Sequence, residues 1–336
     1  MTAGAGLHTD AALDAARAYL LAQRGEGGYW RGELSSSALS TAVAAFALDR
    51  VDREAHRPMV VRALNWLASH ANADGGWGDT PDSPSNLSTT LLVWAALAAA
   101  PAGAVPEDVS RAADDWIARA AGGRDPDTLA AAVLDAYGQD RTFSAPILTV
   151  CALAGRLGTD PWRFVPQLPF EWSVLPHGVF RFIRLSVVSY ALPALIGIGL
   201  VRHRCGPCAS PALARLRDGL TGPALRVLRR CQPPHGGFLE AAPLTGFVAA
   251  SLAAAGLCEH PVTRQCAAFL TRSVRPDGSW PIDTNLATWV TTLAVEALTA
   301  GGGAAAQFPE SERARVRDWL LGQQFRAPHP YTRAAP

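Results

Sequence analysis

Leu64–Trp77 reads LNWLASHANADGGW, an apolar segment that runs into a polar turn, two glycines and a tryptophan. The same arrangement recurs at Ala18–Trp30 (AYLLAQRGEGGYW), Val227–Phe238 (VLRRCQPPHGGF) and Phe269–Trp280 (FLTRSVRPDGSW). The first two closing aromatics are 47 residues apart and the last two 42. A polar stretch and a second apolar segment follow, as at Leu87–Ala100, Leu244–Leu257 and Leu286–Ala300. This is a helix, turn, helix unit used repeatedly. Such a unit cannot bury its own apolar face, so neighbouring copies must stack.

Helical spacing supports that reading. Val60, Leu64, Leu67 and Ala71 fall at i, i+4, i+7 and i+11, and Trp289, Leu293 and Ala297 recur at every fourth position, without strand alternation. Asp10, Thr80, Asp108, Ser210 and Asn285 suit helix N-caps, while Gly25, Gly122, Gly158 and Gly301 suit helix stops. These breaks predict roughly twelve to fourteen helices in an all-α protein, an α/α barrel or toroid. In each turn a glycine shortly before the aromatic permits positive φ, so the ring can fold back onto the helix ends. Trp30, Trp77 and Trp280 are therefore read as pegs between units rather than substrate contacts.

From Asp125 to Pro211 the period breaks. Pro161, Pro166, Pro169 and Pro176 impose an extended crossing loop. It either borders a cavity or simply joins two arms of one barrel. A domain boundary is expected near Arg275, giving a barrel over 1–274 and the first helices of a second, incomplete barrel over 275–336. Gly301–Ala306 reads as a loop within the latter.

Composition excludes several functions. With 49% apolar and 18% charged residues the chain builds a real core, and 30 basic against 29 acidic residues leave a net charge of +1, too little excess for a nucleic-acid partner. All 30 basic residues are arginine, which removes Schiff-base lysines, lysine nucleophiles and the P-loop lysine. Six cysteines are too few for a disulfide scaffold, and Met1–Asp10 shows no secretory pattern. The expected location is cytoplasmic, with peripheral contact at the inner membrane face left open. Leu185–Val201, seventeen mostly apolar residues, is read as a buried core helix, being short for a bilayer span of roughly 20 residues.

The motif QRGEGGYW (Gln23–Trp30), with ANADGGW and VRPDGSW later, resembles the QW repeats of squalene-hopene and oxidosqualene cyclases. Asp140–Gly155 (DRTFSAPILTVCALAG) and Asp277–Leu298 (DGSWPIDTNLATWVTTLAVEAL) are similar to the same family. The resemblance runs along nearly the whole chain, colinear with the N-terminal half of a full cyclase. It implies α/α-barrel domains, a polyprenyl or triterpene hydrocarbon as substrate, and triterpenoid or hopanoid metabolism. Family members carry their general acid in a D-x-D-D motif in the second half. Trp319–Pro336 resembles what precedes that region, and no D-x-D-D run occurs in these 336 residues. The resemblance therefore implies the N-terminal half of a class II cyclase served by a companion chain bearing the acid. Two alternatives stand beside it: a self-contained barrel that binds a prenyl chain without turnover, and a lone cyclase with a relocated acid.

Class II cyclisation starts when a carboxylic acid protonates an alkene or epoxide in a dry pocket, after which aromatic faces stabilise successive cations. Phe143, Trp172, Phe180, Phe182, Tyr190, Phe247 and Trp289 are candidates for lining such a pocket, although each serves equally well as plain core. By resemblance Trp289, in the NLATWVTT run, leads. Asp283, within WPIDTN, is the candidate acid if desolvation raises its pKa, and a helix-end carboxylate if it meets a macrodipole. The second reading is favoured. Glu171, between Phe170 and Trp172, carries the same ambiguity. A class I site holding magnesium would need an Asp-rich cluster, and Asp114–Asp115 is only a pair, read as a solvated charge patch. Finally, Cys205 and Cys208, then Cys231 and His235, have the C-x2-C and C-x3-H spacing of a structural zinc site, against the bland reading of buried small residues. No cofactor is favoured, with zinc the runner-up.

Overall fold

The computed structural model describes residues 3–100, 103–138, 140–182, 191–208, 210–300, 308–324 and 326–327. They form fourteen α-helices and one two-stranded ribbon. Two compact units result, a larger one over Leu34–Thr284 and a smaller one that groups Met1–Glu33 with Asn285–His329. This differs from the expected division at 1–274 and 275–336. The turn at Arg275 belongs to the larger unit because its guanidinium donates to Ser36 Oγ (2.9 Å) and to the Leu34 carbonyl. In addition, β1 (Ser36–Ser37) pairs antiparallel with β2 (Trp280–Pro281).

Helix α1 spans Ala3–Ala22. The larger unit then runs through α2 (Ala38–Val51), α3 (Arg53–Ser69), α4 (Leu87–Ala98), α5 (Glu107–Ala121), α6 (Pro126–Tyr137) and α7 (Arg141–Leu153). After the proline-rich crossing and the short α8 (His177–Phe182) come α9 (Leu192–Cys205), α10 (Pro211–Cys231), α11 (Ala242–Ala254) and α12 (Pro261–Ser273). Packing closes a ring: α2 lies on α4, α4 on α7, α7 on α9, α9 on α11, and α11 returns to α2. Outside it, α3 backs α2, α5 backs α4, α6 backs α7, α10 backs α9 and α12 backs α11. The α/α barrel read from the repeats is this arrangement.

Burial follows from the ring. On α2 every residue from Ala38 to Asp49 except Leu39 is buried, whereas α5 buries only Ala113 and Ile117. Inner helices are small-residue rich because they approach closely. A Cβ placed on Gly246 of α11 would lie 2.7 Å from a Val43 methyl of α2. The apolar stretch expected to be a core helix is, in its described part, inner helix α9.

Helix starts are set by Ser37, Asn86 and Asp140, whose side chains accept from the amides of Ser40, Thr89 and Thr142. Of the expected caps, Ser210 stands at the α10 start without a side-chain bond, and Asn285 accepts from the Ala287 amide at 3.1 Å. Asp10 lies inside α1, Thr80 precedes a loop that Asn86 ends, and Asp108 lies in the first turn of α5. Gly122 and Gly158 do take left-handed φ, and Gly301 lies outside the described residues.

One hydrogen-bonded device repeats at every Gly-aromatic turn. The glycine two residues before the aromatic has φ of +83° (Gly28), +89° (Gly75), +90° (Gly236) or +91° (Gly278). The aromatic's backbone N–H donates to a buried threonine hydroxyl: Trp77 to Thr90, Phe238 to Thr245, Trp280 to Thr41, Trp30 to Thr291. Each indole N–H donates to a leucine carbonyl ten residues back, Leu67, Leu270 or Leu20, at 2.7–2.9 Å. All three tryptophans are buried, as pegs should be. The unexpected part is the pairing. Thr90 and Thr245 lie on the next helix in the chain, but Trp280 is met by Thr41 near the start, and Trp30 by Thr291 near the end. The two terminal repeats exchange their second helices.

The smaller unit consists of α1, α13 (Ala287–Thr299) and α14 (Glu310–Gly322). Trp30, Ala294, Leu298, Phe308 and Val316 form its core, Tyr29 stacks on Trp319 at 4.1 Å, and Arg24 pairs with Glu312 at 2.6 Å.

Candidate functional site

The inner helices share a direction, since the first turns of α2, α4, α7, α9 and α11 meet at one mouth of the ring. There they enclose a cavity of about 650 Å³, within the range of roughly 300–1,000 Å³ for small-molecule sites. Leu39, Leu87, Phe143, Ala194 and Leu244 enter from those first turns, with Leu92, Ile147 and Phe247 a turn deeper and Leu239 and Ile282 from the flanking loops. Leu239 and its neighbour Glu240 hold φ of 53° and 56°, a left-handed pair that side chains with a Cβ seldom adopt.

The polar lining is small and lies mostly at the start of α4. Asn86 donates to Asp79 Oδ1 at 2.9 Å, the Thr89 hydroxyl donates to the same oxygen, and the Ser88 and Tyr137 hydroxyls lie 2.7 Å apart. Thr142 adds one hydroxyl. Tyr137 also stacks on Phe143, with ring centroids 5.8 Å apart and planes 22° from parallel. The cavity can solvate an apolar chain and present flat aromatic faces to it.

The sequence candidates divide. Phe143 and Phe247 line the cavity. Trp172 does not: it sits on a 3-10 turn, Phe170–Val174, and is 48% exposed. Trp289 is on α13 of the smaller unit, 59% exposed, and is no part of this lining. Phe180 and Phe182 belong to α8 and are absent from the lining, and Tyr190 lies outside the described residues. No described residue of the crossing loop between α7 and α9 borders the cavity. The loop is fixed by Arg202 to the Val165 carbonyl (2.9 Å) and Gln167 to the Gly199 carbonyl (2.8 Å).

Asp283 is not the helix-end group it was read as. Helix α13 begins at Ala287 with Leu286 at its cap position, and the Asn285 side chain supplies the nearby bond. Asp283 is instead bridged to Ala241, one residue from Ile282 of the lining. Burial pushes its carboxyl above the ordinary aspartate value, and the neighbouring Glu240 pushes it further. Glu171 is no acid aimed into the cavity either. It is buried, and Arg217 donates to its Oε1 twice, at 3.1 and 3.0 Å, tying the crossing loop to α10. Asp114 is engaged rather than merely solvated, accepting from the Trp94 indole at 2.6 Å and pairing with Arg124 at 3.2 Å.

The zinc set does not assemble. Cys208 precedes α10 and Cys231 ends it, so a helix of 21 residues, about 30 Å long at about 1.5 Å per residue, lies between them. Cys205 faces the Ala254 carbonyl, Cys208 lies by Ser210 and Arg217, and His235 pairs with Glu240 at 3.5 Å. Among the described residues no three His, Cys, Asp or Glu side chains converge as a metal would require.

Sequence reasoning missed Asp79 and Tyr137. A signal existed for Tyr137, which ends α6 just before Gly138; Asp79 lies in the loop between α3 and α4, beside Gly78, and carries no helix-end signal.

The larger unit is thus a closed double ring of helices, pegged at Gly-aromatic turns and holding an apolar cavity with aromatic side chains in its lining. Residues 13–147 match the family described as squalene-hopene cyclase N-terminal domain. Over 180 residues, 52% of this chain and 12% of the relative, it is 29% identical to the enfumafungin synthase of Hormonema carpetanum. It is 26% identical to a squalene hopane cyclase of Aspergillus fumigatus, over 52% of this chain and 21% of the other. The squalene–hopene cyclase of Alicyclobacillus acidocaldarius is also 26% identical, over 61% of this chain and 29% of its own length. The chain thus spans less than a third of each of these relatives. A solved structure of a protein from Actinoplanes is similar over 82% of this chain and 84% of its own, at 21% identity and a TM-score of 0.33. No helix among the described residues is long and apolar enough to cross a membrane.

Proposed function

We propose that this chain is the N-terminal half of a squalene-hopene-type class II cyclase, holding a polyprenyl or triterpene chain while a companion chain supplies the D-x-D-D acid. The observation that carries the reading is the cavity at the ring mouth: apolar, faced by Phe143, Tyr137 and Phe247, with no Arg or His among the described residues of its lining. Such walls suit a long hydrocarbon and offer ring faces to developing positive charge. The acid that starts the reaction is supplied elsewhere, because these residues contain no D-x-D-D run.

A second reading, a lone cyclase, is favoured by Asp283. Its carboxyl is half-buried, raised by desolvation, and next to a lining residue, which are the conditions under which an acid keeps its proton. Contact with a lipid surface fits the same substrate: Trp172, Leu175, Val179 and Phe182 are exposed apolar side chains on one short stretch. The deciding experiment is incubation of the purified chain with squalene, alone and with a D-x-D-D-bearing chain from the same genome. Cyclised product only in the pair supports the half-cyclase. Product from the single chain that Asp283→Asn abolishes supports the lone enzyme. Retained squalene without product in either case leaves a binding barrel, and neither binding nor product removes the prenyl reading altogether.

A further inference from the structure

Among the described residues, Leu239 and Glu240 are the two that take positive φ without being glycine, at 53° and 56°. Left-handed backbone crowds the Cβ of an L residue against the following carbonyl, so the pair works against folding. Neighbouring bonds hold it from both sides. Ahead of it, Phe238 is buried and its N–H donates to the Thr245 hydroxyl at 2.9 Å. Behind it, the Glu240 carbonyl accepts from the Thr284 amide and hydroxyl, both at 3.0 Å, and the Ala242 amide donates to the Ile282 carbonyl at 2.9 Å.

The fold itself does not ask for these side chains. Two residues after Trp30, at the place Glu240 takes after Phe238, the chain has Gly32 at φ of +63°, an angle glycine adopts without strain. Nor does Leu239 serve the core, since it is 55% exposed. It borders the cavity instead, together with Leu39, Leu244, Phe247 and Ile282. A leucine kept at a strained position, outside the core and on a cavity wall, points to a role in binding.

We infer that Leu239 is a specificity-determining residue of this cavity, set at its open side to cover the end of a linear hydrocarbon that reaches the mouth, and so to favour long chains over short ones. The inference rests on the reading that the cavity holds a polyprenyl or triterpene chain, and it names what selects that chain's length. Leu92, Ile147 and Phe247 line the wall a turn deeper and meet a chain of any length. The half-exposed Leu239 loses its remaining water only beneath a chain long enough to extend outward.

The test measures retention of radiolabelled squalene and of farnesene, a hydrocarbon half as long, partitioned from one detergent into the full chain and its Leu239 variants. Covering about half of the three carbons by which leucine exceeds alanine predicts about tenfold weaker squalene binding by Leu239→Ala and Leu239→Gly, with farnesene binding within about twofold of wild type. Leu239→Met, which restores an apolar side chain of like length, keeps the wild-type affinity for both. Urea unfolding reads the strain separately. At an ordinary exposed position glycine is less stable than alanine, whereas at φ of 53° Leu239→Gly unfolds at higher urea than Leu239→Ala. Squalene binding unchanged in both variants, an equal loss for farnesene, failure of Leu239→Met to keep squalene, or Leu239→Gly no more stable than Leu239→Ala overturns the inference, while wild-type retention of squalene leaves the prenyl reading standing. A wild-type chain that retains neither hydrocarbon overturns both.

Discussion

Replacing Thr90 by valine removes a hydroxyl and nothing else of consequence, because the two side chains have nearly the same shape. Thr90 is fully buried, and its Oγ1 accepts from the Trp77 amide at 3.0 Å and donates to the Trp77 carbonyl at 3.3 Å. Valine leaves the Trp77 N–H unpaired at a site water does not reach, while the Trp77 carbonyl keeps the Asn86 amide at 3.0 Å. An unsatisfied buried group costs about 1–3 kcal/mol, so a loss of about 2 kcal/mol is expected. For a unit of this size that lowers Tm by about 4–8 °C. Thr90→Ser, which keeps the hydroxyl and drops a methyl, should cost about 1 kcal/mol. The assay is urea unfolding followed by tryptophan fluorescence, with the unchanged slope showing that only stability moved. If Thr90→Val were as stable as the wild type, or Thr90→Ser less stable than Thr90→Val, the hydroxyl would not be what holds the turn.

Other expectations follow from the same geometry. Arg217→Met strands the buried Glu171 carboxylate and should destabilise by about 3–5 kcal/mol, while adding Glu171→Gln recovers most of the loss. A thermal-denaturation double-mutant cycle checks this. Because the folded state holds Asp283 above its ordinary pKa, ionising it works against folding. Stability contributed by the protonated group is complete below the usual aspartate range and is lost as pH rises through the raised value. Asp283→Asn should therefore raise Tm at pH 7 and make no difference in acid; a constant difference at all pH values would contradict the burial argument. Gly236→Ala places a Cβ 2.4 Å from the Gln265 carbonyl oxygen at φ of +90°, whereas Gly122→Ala, at +79°, meets nothing within 4 Å. The second should cost about 1–2 kcal/mol and the first clearly more, as read by chemical denaturation.

The barrel was legible because its signal is local and repeated. Leu67, Gly75 and Trp77 sit within eleven residues, and the same offsets recur at Leu270, Gly278 and Trp280. What the spacing does not contain is which threonine receives each turn, since Thr41 lies 239 residues from Trp280. The site was legible only in part for the same reason. Phe143 and Phe247 reached the cavity because both lie near the starts of inner helices, and Trp172 did not because it is on a turn that faces outward. Trp289 has helical spacing like theirs, but belongs to α13 of the other unit. Asp283 was misread because the helix after it starts only at Ala287, four residues beyond it, so the carboxylate is out of reach of the helix end. The cysteines matched a ligand spacing along the chain, but spacing does not say that a helix of twenty-one residues, ending in Cys231, follows Cys208.

The exchange of Trp30 and Trp280 between the chain's two ends has a consequence for how the protein is made. Helix α2 leaves the ribosome long before the residue that pins its Thr41, which is translated 239 positions later. At about 5–20 residues per second, that is a wait of about 12–48 s. Over that interval α3 and α4 emerge early enough to pack on α2, while the side that receives α11 waits for a helix that starts at Ala242. Release after α11 but short of Trp280 would leave the ring closed by α11 on α2 while Thr41 lacks its turn.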